Sequence, residues 1–136
     1  MGMRNRVVAR LRDGQVVKGY TFDFTPNKDS FHVVAPDDDK RVAKVAATDL
    51  KAVFYVKSLE GDREREKPQD LTEKSLEGTP GVKLKVTFDD GEVMYGTTMG
   101  YSPGRSGFFI TPVDAQSNNE RAYVFSESTR AVESWR

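Results

Sequence analysis

One short pattern occurs twice and governs what this chain can fold into: Asp13-Gly14-Gln15-Val16-Val17-Lys18-Gly19 and Asp90-Gly91-Glu92-Val93-Met94-Tyr95-Gly96 both read Asp-Gly-x-Val-x-x-Gly, 77 positions apart. At the same offset Pro103 matches Pro26, Phe108 matches Phe31, Ile110 matches Val33 and Asp114 matches Asp37. Arg130-Ala131-Val132 matches Lys51-Ala52-Val53 at an offset of 79, which places two extra residues in the second copy. A register held this long, then shifted once, indicates an internal duplication.

Each copy alternates as a β-strand does. Val7, Ala9 and Leu11 alternate with Arg6, Arg10 and Arg12, and Leu84, Val86 and Phe88 alternate with Lys83, Lys85 and Thr87. Period two means half-buried strands. Asp-Gly supplies a tight hairpin turn. The strand after it puts Val16, Tyr20, Phe22 and Phe24 on one face, and Gly19 within it marks a bulge or bend. Phe31–Val34 reads as a third strand and residues 41–47 as a weak fourth. Thr48-Asp49-Leu50 reads as a helical turn, and residues 51–57 as a fifth strand, apolar on both faces and therefore central or covered.

The expected organisation is thus a first small β-barrel over 1–60, a charged linker over 61–80 and a second barrel over 81–136. The linker assignment rests on Gly61-Asp62-Arg63-Glu64-Arg65-Glu66-Lys67-Pro68, charged on all sides. Val7, Leu11, Phe22, Phe31, Val33 and Phe54 are the expected core of the first copy, and Leu84, Phe88, Met99, Phe108, Ile110 and Val132 that of the second. Two halves this small bury too little surface to stand alone, so they should pack together or oligomerise.

Val7-x-x-x-Leu11-x-Asp13-Gly14-x-x-x-x-Gly19-x-x-x-x-Phe24 resembles the first motif of Sm-like small barrels, within the SH3-like group, and the resemblance covers residues 6–57 and 82–135. It implies an all-β fold of two tandem five-stranded barrels. The RNA-contacting Asp-x-x-Met-Asn signature of those proteins is replaced by Thr25–Ser30 and by Ser102–Gly107, so the resemblance implies the fold without that activity. Tyr101-Ser102-Pro103-Gly104-Arg105-Ser106-Gly107-Phe108-Phe109-Ile110 is similar to the nucleotide-sensing stretch of PilZ domains, but the Arg-x-x-x-Arg that precedes it in that family is missing.

Composition narrows the function. Lys+Arg and Asp+Glu are both 21, and a zero net charge argues against a dedicated nucleic-acid binder. There is no cysteine, which excludes disulfides and thiol chemistry. No run approaches the length of a membrane span, and the expected setting is cytoplasmic, without a membrane partner. His32 is the sole histidine, and no partner or nucleophile is evident for it; Asp37-Asp38-Asp39 lacks the spacing of a calcium loop and reads as a solvated turn. No enzyme, cofactor or metal is therefore expected.

The favoured expectation is a non-catalytic binding or adaptor module for a protein partner. Its contacts would come from equivalent loops of the two copies, through Asn27, Lys28, Tyr101, Arg105 and Phe109, because arginine beside aromatics is the composition of interface hot spots. The alternative partner is RNA, held by Arg4, Arg6, Arg10 and Arg12 along the first strand. A PilZ-related nucleotide sensor is the third reading.

Overall fold

The computed structural model describes residues 5–25, 28–57, 59, 81–99, 106–112 and 119–135. These residues form one ten-stranded antiparallel sheet. The first half supplies β1 (Asn5–Leu11), β2 (Val16–Thr21), β3 (Ser30–Val34), β4 (Val42–Ala46) and β5 (Leu50–Val56), with a 3-10 turn at Ala47–Asp49 before β5. The second supplies β6 (Val82–Phe88), β7 (Val93–Thr98), β8 (Gly107–Pro112), β9 (Asn119–Phe125) and β10 (Thr129–Trp135), with a 3-10 turn at Ser126–Ser128. The two halves therefore follow the same order of elements. The expected linker over 61–80 lies outside the described residues.

Strand order across the sheet is β10-β6-β7-β8-β9-β5-β1-β2-β3-β4. Within each half the last strand lies beside the first, and the halves join where β5 pairs with β9, Phe54 opposite Ala122 and Tyr55 opposite Arg121. The paired Asp-Gly turns behave as their sequence dictates. Gly14 and Gly91 hold φ of 94° and 93°, and the Asp13 and Asp90 carboxylates each accept the backbone N–H two residues on, at 2.9 Å.

Two apolar clusters lie on opposite faces of β5. Val7, Ala9, Phe31, Val33, Val45, Leu50 and Val53 form the first, all from the first half. Leu84, Val86, Phe88, Phe108, Ile110, Ala122 and Val124 form the second, completed by Val8, Ala52, Phe54 and Val56 from the first half. The unbroken apolar run of β5 follows from this position. One face fills its own half and the other covers its neighbour, so Ala52–Val56 carries no polar face, and the lysine that precedes it, Lys51, is buried with carboxylate partners.

Two expected core residues are exposed instead: Phe22 is 57% and Met99 97% accessible. The inward set on β2 is Val17, Gly19 and Thr21, one residue out of phase with the apolar reading. Gly19 stands inward because β3 crosses it closely; a Cβ there would strike the carbonyl oxygen of Val34, and one at Gly96 would strike that of Thr111. The β1–β2 register runs through Gly19 without a shift, so the residue serves close approach rather than a bulge. The register shift of this half lies between Arg10 and Leu11, against β5, and Leu11 is only half-buried. Val132 is likewise half-buried, packed against the second cluster.

Candidate functional site

The residues that bind the halves together also shape the surface between them. Lys51 begins this junction. Its ammonium lies 2.7 Å from Asp90 Oδ2, 2.6 Å from Glu92 Oε1 and 4.6 Å from the centre of the Phe88 ring. The β6–β7 turn thus holds a cation from the first half, a role beyond turn formation. Arg10 and Arg12 add to it, 4.0 Å from Glu92 and 3.8 Å from Asp89. The Ser128 hydroxyl donates to the Leu50 carbonyl at 2.9 Å. Lys51 holds the Asp90 carboxyl below its ordinary range, chiefly through the hydrogen bond it donates.

On the opposite side of β5 and β9 the junction is aromatic. Phe24, which follows β2, meets Phe31 at 4.8 Å, Tyr55 at 6.3 Å and Tyr123 at 5.9 Å between ring centres. Phe109 meets Tyr123 at 4.9 Å and Tyr55 at 6.4 Å. These are mainly edge-to-face contacts, favoured by the ring quadrupoles. Tyr123 lies across Gly107, where a Cβ would come within 2.5 Å of its ring. The ends of two equivalent connections, after Phe24 and before Gly107, therefore converge on Tyr123.

Arg121 tops this seam. Its guanidinium is exposed, 4.5 Å from the centre of the Tyr55 ring and 4.9 Å from that of Phe109. No carboxylate among the described residues pairs with it. Burial raises the Tyr55 phenol above its ordinary value, against the opposing charge of Arg121. A flat cation held over two rings is oriented before any ligand arrives, and its outer face remains open to an anion or a further ring.

The expected site residues divide as follows. Phe109 lies in the aromatic seam, and Lys28 is exposed in the β2–β3 connection, its N–H donating to the Thr25 carbonyl. Asn27, Tyr101, Arg105 and Arg4 lie outside the described residues. Arg6, Arg10 and Arg12 do not form an open stripe: Arg10 and Arg12 face carboxylates of the second half, Arg10 also lies 5.1 Å from the Phe54 ring centre, and Arg6 donates to the Lys57 carbonyl at 3.4 Å.

His32, expected to lack a partner, has one. Its Nδ1 is 2.8 Å from Asp23 Oδ2, its backbone N–H donates to Asp23 Oδ1 at 2.9 Å, and the Thr21 hydroxyl donates to the same oxygen. Burial pushes the Asp23 carboxyl up, but these bonds outweigh it and hold it below the ordinary value. The pair ties β3 to the chain leaving β2. In the acidic run, Asp38 accepts the Lys40 N–H on its carboxylate and the Arg41 N–H on its carbonyl, which is turn geometry.

Lys51, Arg121 and Tyr123 are the residues that sequence reasoning missed. One signal marks the last two: Arg121, Ala122, Tyr123, Val124 and Phe125 alternate large side chains with small or apolar ones and leave no plainly polar face, as β5 does. Strands of that kind belong at the centre of a sheet, and these two pair there.

The geometry defines an all-β protein whose halves share one antiparallel sheet and a joint aromatic and ionic seam. The chain belongs to a family of unknown function, DUF6982, whose model matches residues 3–135 and so spans both halves. No curated protein and no solved structure matches it.

Proposed function

We propose that this protein is a non-catalytic binding module, made of two homologous Sm-like small barrels, that docks a protein partner in the cytoplasm on the surface where its halves meet. The observation that carries this reading is Arg121, exposed and stacked over Tyr55 and Phe109 without a carboxylate partner among the described residues. Arginine and tyrosine dominate interface energetics, and a preorganised pair loses little entropy on binding. The two equivalent connections that carry Asn27, Lys28, Tyr101 and Arg105 begin or end beside this seam, at Phe24 and Gly107. Two observations support the barrel reading: each half places its last strand beside its first, and one apolar cluster centres on each half, the second completed by β1 and β5. RNA binding through the β1 arginines is the weaker reading, because Arg10 and Arg12 already face carboxylates.

Affinity capture from the source cells with the native chain and with Arg121→Glu tests the proposal. A partner retained by the native chain and lost with the variant is expected, while the variant keeps native stability because the side chain is at the surface. An identical set of captured proteins would contradict it.

A further inference from the structure

The outward side of the second half continues the junction surface across the sheet. Lys83 lies opposite Thr97, and Thr97 opposite Thr111. Ile110 lies opposite Ala122, which sets Thr111 beside Arg121, and Arg121 lies opposite Tyr55. Leu84, Ile110 and Ala122 point into the second cluster, so their neighbours Lys83, Thr111 and Arg121 point away from it. The result is one row over β6, β7, β8, β9 and β5: a cation, two hydroxyls, a second cation and a ring, with Phe109 alongside. Neither cation has a carboxylate partner among the described residues.

We infer, building on the binding reading above, that this row takes an extended acidic segment of a partner protein, laid across the strands with carboxylates on Lys83 and Arg121. Lys83 and Arg121 are separated by three interstrand gaps, roughly 14 Å at about 4.8 Å each. An extended chain advances about 3.3 Å per residue, so side chains four residues apart match that span and point the same way. The residue midway between them faces Thr97 and Thr111, whose hydroxyls donate to a carboxylate or an amide oxygen. An aromatic or aliphatic side chain beyond the Arg121 end packs on Tyr55. A nucleic acid is disfavoured because its affinity comes from many phosphate contacts, and this row offers two cations.

The test is fluorescence anisotropy on the full chain with a labelled peptide of about ten residues. The peptide carries Glu at three alternate positions followed by one Phe, with a Lys-for-Glu peptide and oligothymidine as controls. Saturable binding of the acidic peptide is expected, weakened about tenfold or more by Lys83→Glu and by Arg121→Glu separately, and weakened by salt. Lys83→Ala, the milder change, should weaken it less. No saturable binding, equal binding of the Lys peptide, a preference for oligothymidine, or full affinity in Lys83→Glu would each overturn the inference. Partner capture lost with Arg121→Glu but kept with Lys83→Glu would leave the junction reading standing and end this one.

Discussion

Replacing Phe54 by alanine is expected to lower unfolding free energy by about 3–5 kcal/mol, the usual cost of truncating a buried phenylalanine. Phe54 belongs to the first half, but its side chain is 2% accessible and lies among Leu84, Val86, Phe88 and Val124 of the second. The cavity would therefore open in the neighbour's core. Arg10, stacked over the ring at 5.1 Å, would lose its contact as well. Urea unfolding measures the effect as a lower midpoint at unchanged slope. A loss below about 1 kcal/mol would mean that the second face of β5 is not packed as described. The corresponding position of β10 is Glu133, which lies 3.8 Å from Lys85. Where the sheet ends, an ion pair stands in place of the aromatic, and charge on an edge strand blunts further pairing.

The second large effect is an asymmetry at Lys51. Asp90→Asn with Glu92→Gln is expected to cost about 2–3 kcal/mol, and Lys51→Met about 1 kcal/mol or less. The Lys51 side chain is only 10% accessible, whereas the two carboxylates are about half exposed. Removing the acids strands a buried ammonium against the Phe88 ring. Removing the lysine lets the acids rehydrate, and methionine preserves the packing of the stem. The lower figure of about 2–3 kcal/mol, against about 3–5 for a fully buried pair, reflects solvent screening of those exposed carboxylates. Acid should reveal the same clamp. Asp90 has a depressed folded-state pKa, so its contribution is fully present above the ordinary value near 3.8 and is lost as pH falls through the lower folded value. Urea midpoints measured between about pH 5 and pH 2 should fall more steeply for the native chain than for Lys51→Met. Equal slopes, or a costlier Lys51→Met, would contradict the clamp.

Much of the fold was legible because strand periodicity and turn chemistry are local. Asp13-Gly14 and Asp90-Gly91 fix two hairpins, and the repeat around them gives the matching element order of the halves. The failures at Phe22 and Met99 share one cause. Close approach of β3 to β2 and of β8 to β7 demanded glycine on the inward side, and the next inward residue is threonine in both, so the hydrophobic signal moved to the outward side. A pattern read for apolar residues then selects the wrong face. The junction was less legible because it depends on pairing between distant strands. The two-sided apolar character of β5 announced a neighbour without naming it. Lys51 resembles any strand lysine until β5 meets the β6–β7 turn. Arg121 became visible as a contact residue only when β9 set it over rings from two different strands.

The β5–β9 junction is expected to make the two halves one cooperative structure. The chain provides a separate probe for each half: His32, its only histidine, in β3, and Trp135, its only tryptophan, in β10. Urea unfolding followed by the His32 ring proton resonances and by Trp135 fluorescence should give one transition with coincident midpoints. Two separated midpoints, with one half unfolding while the other remains folded, would mean that the junction does not couple the halves.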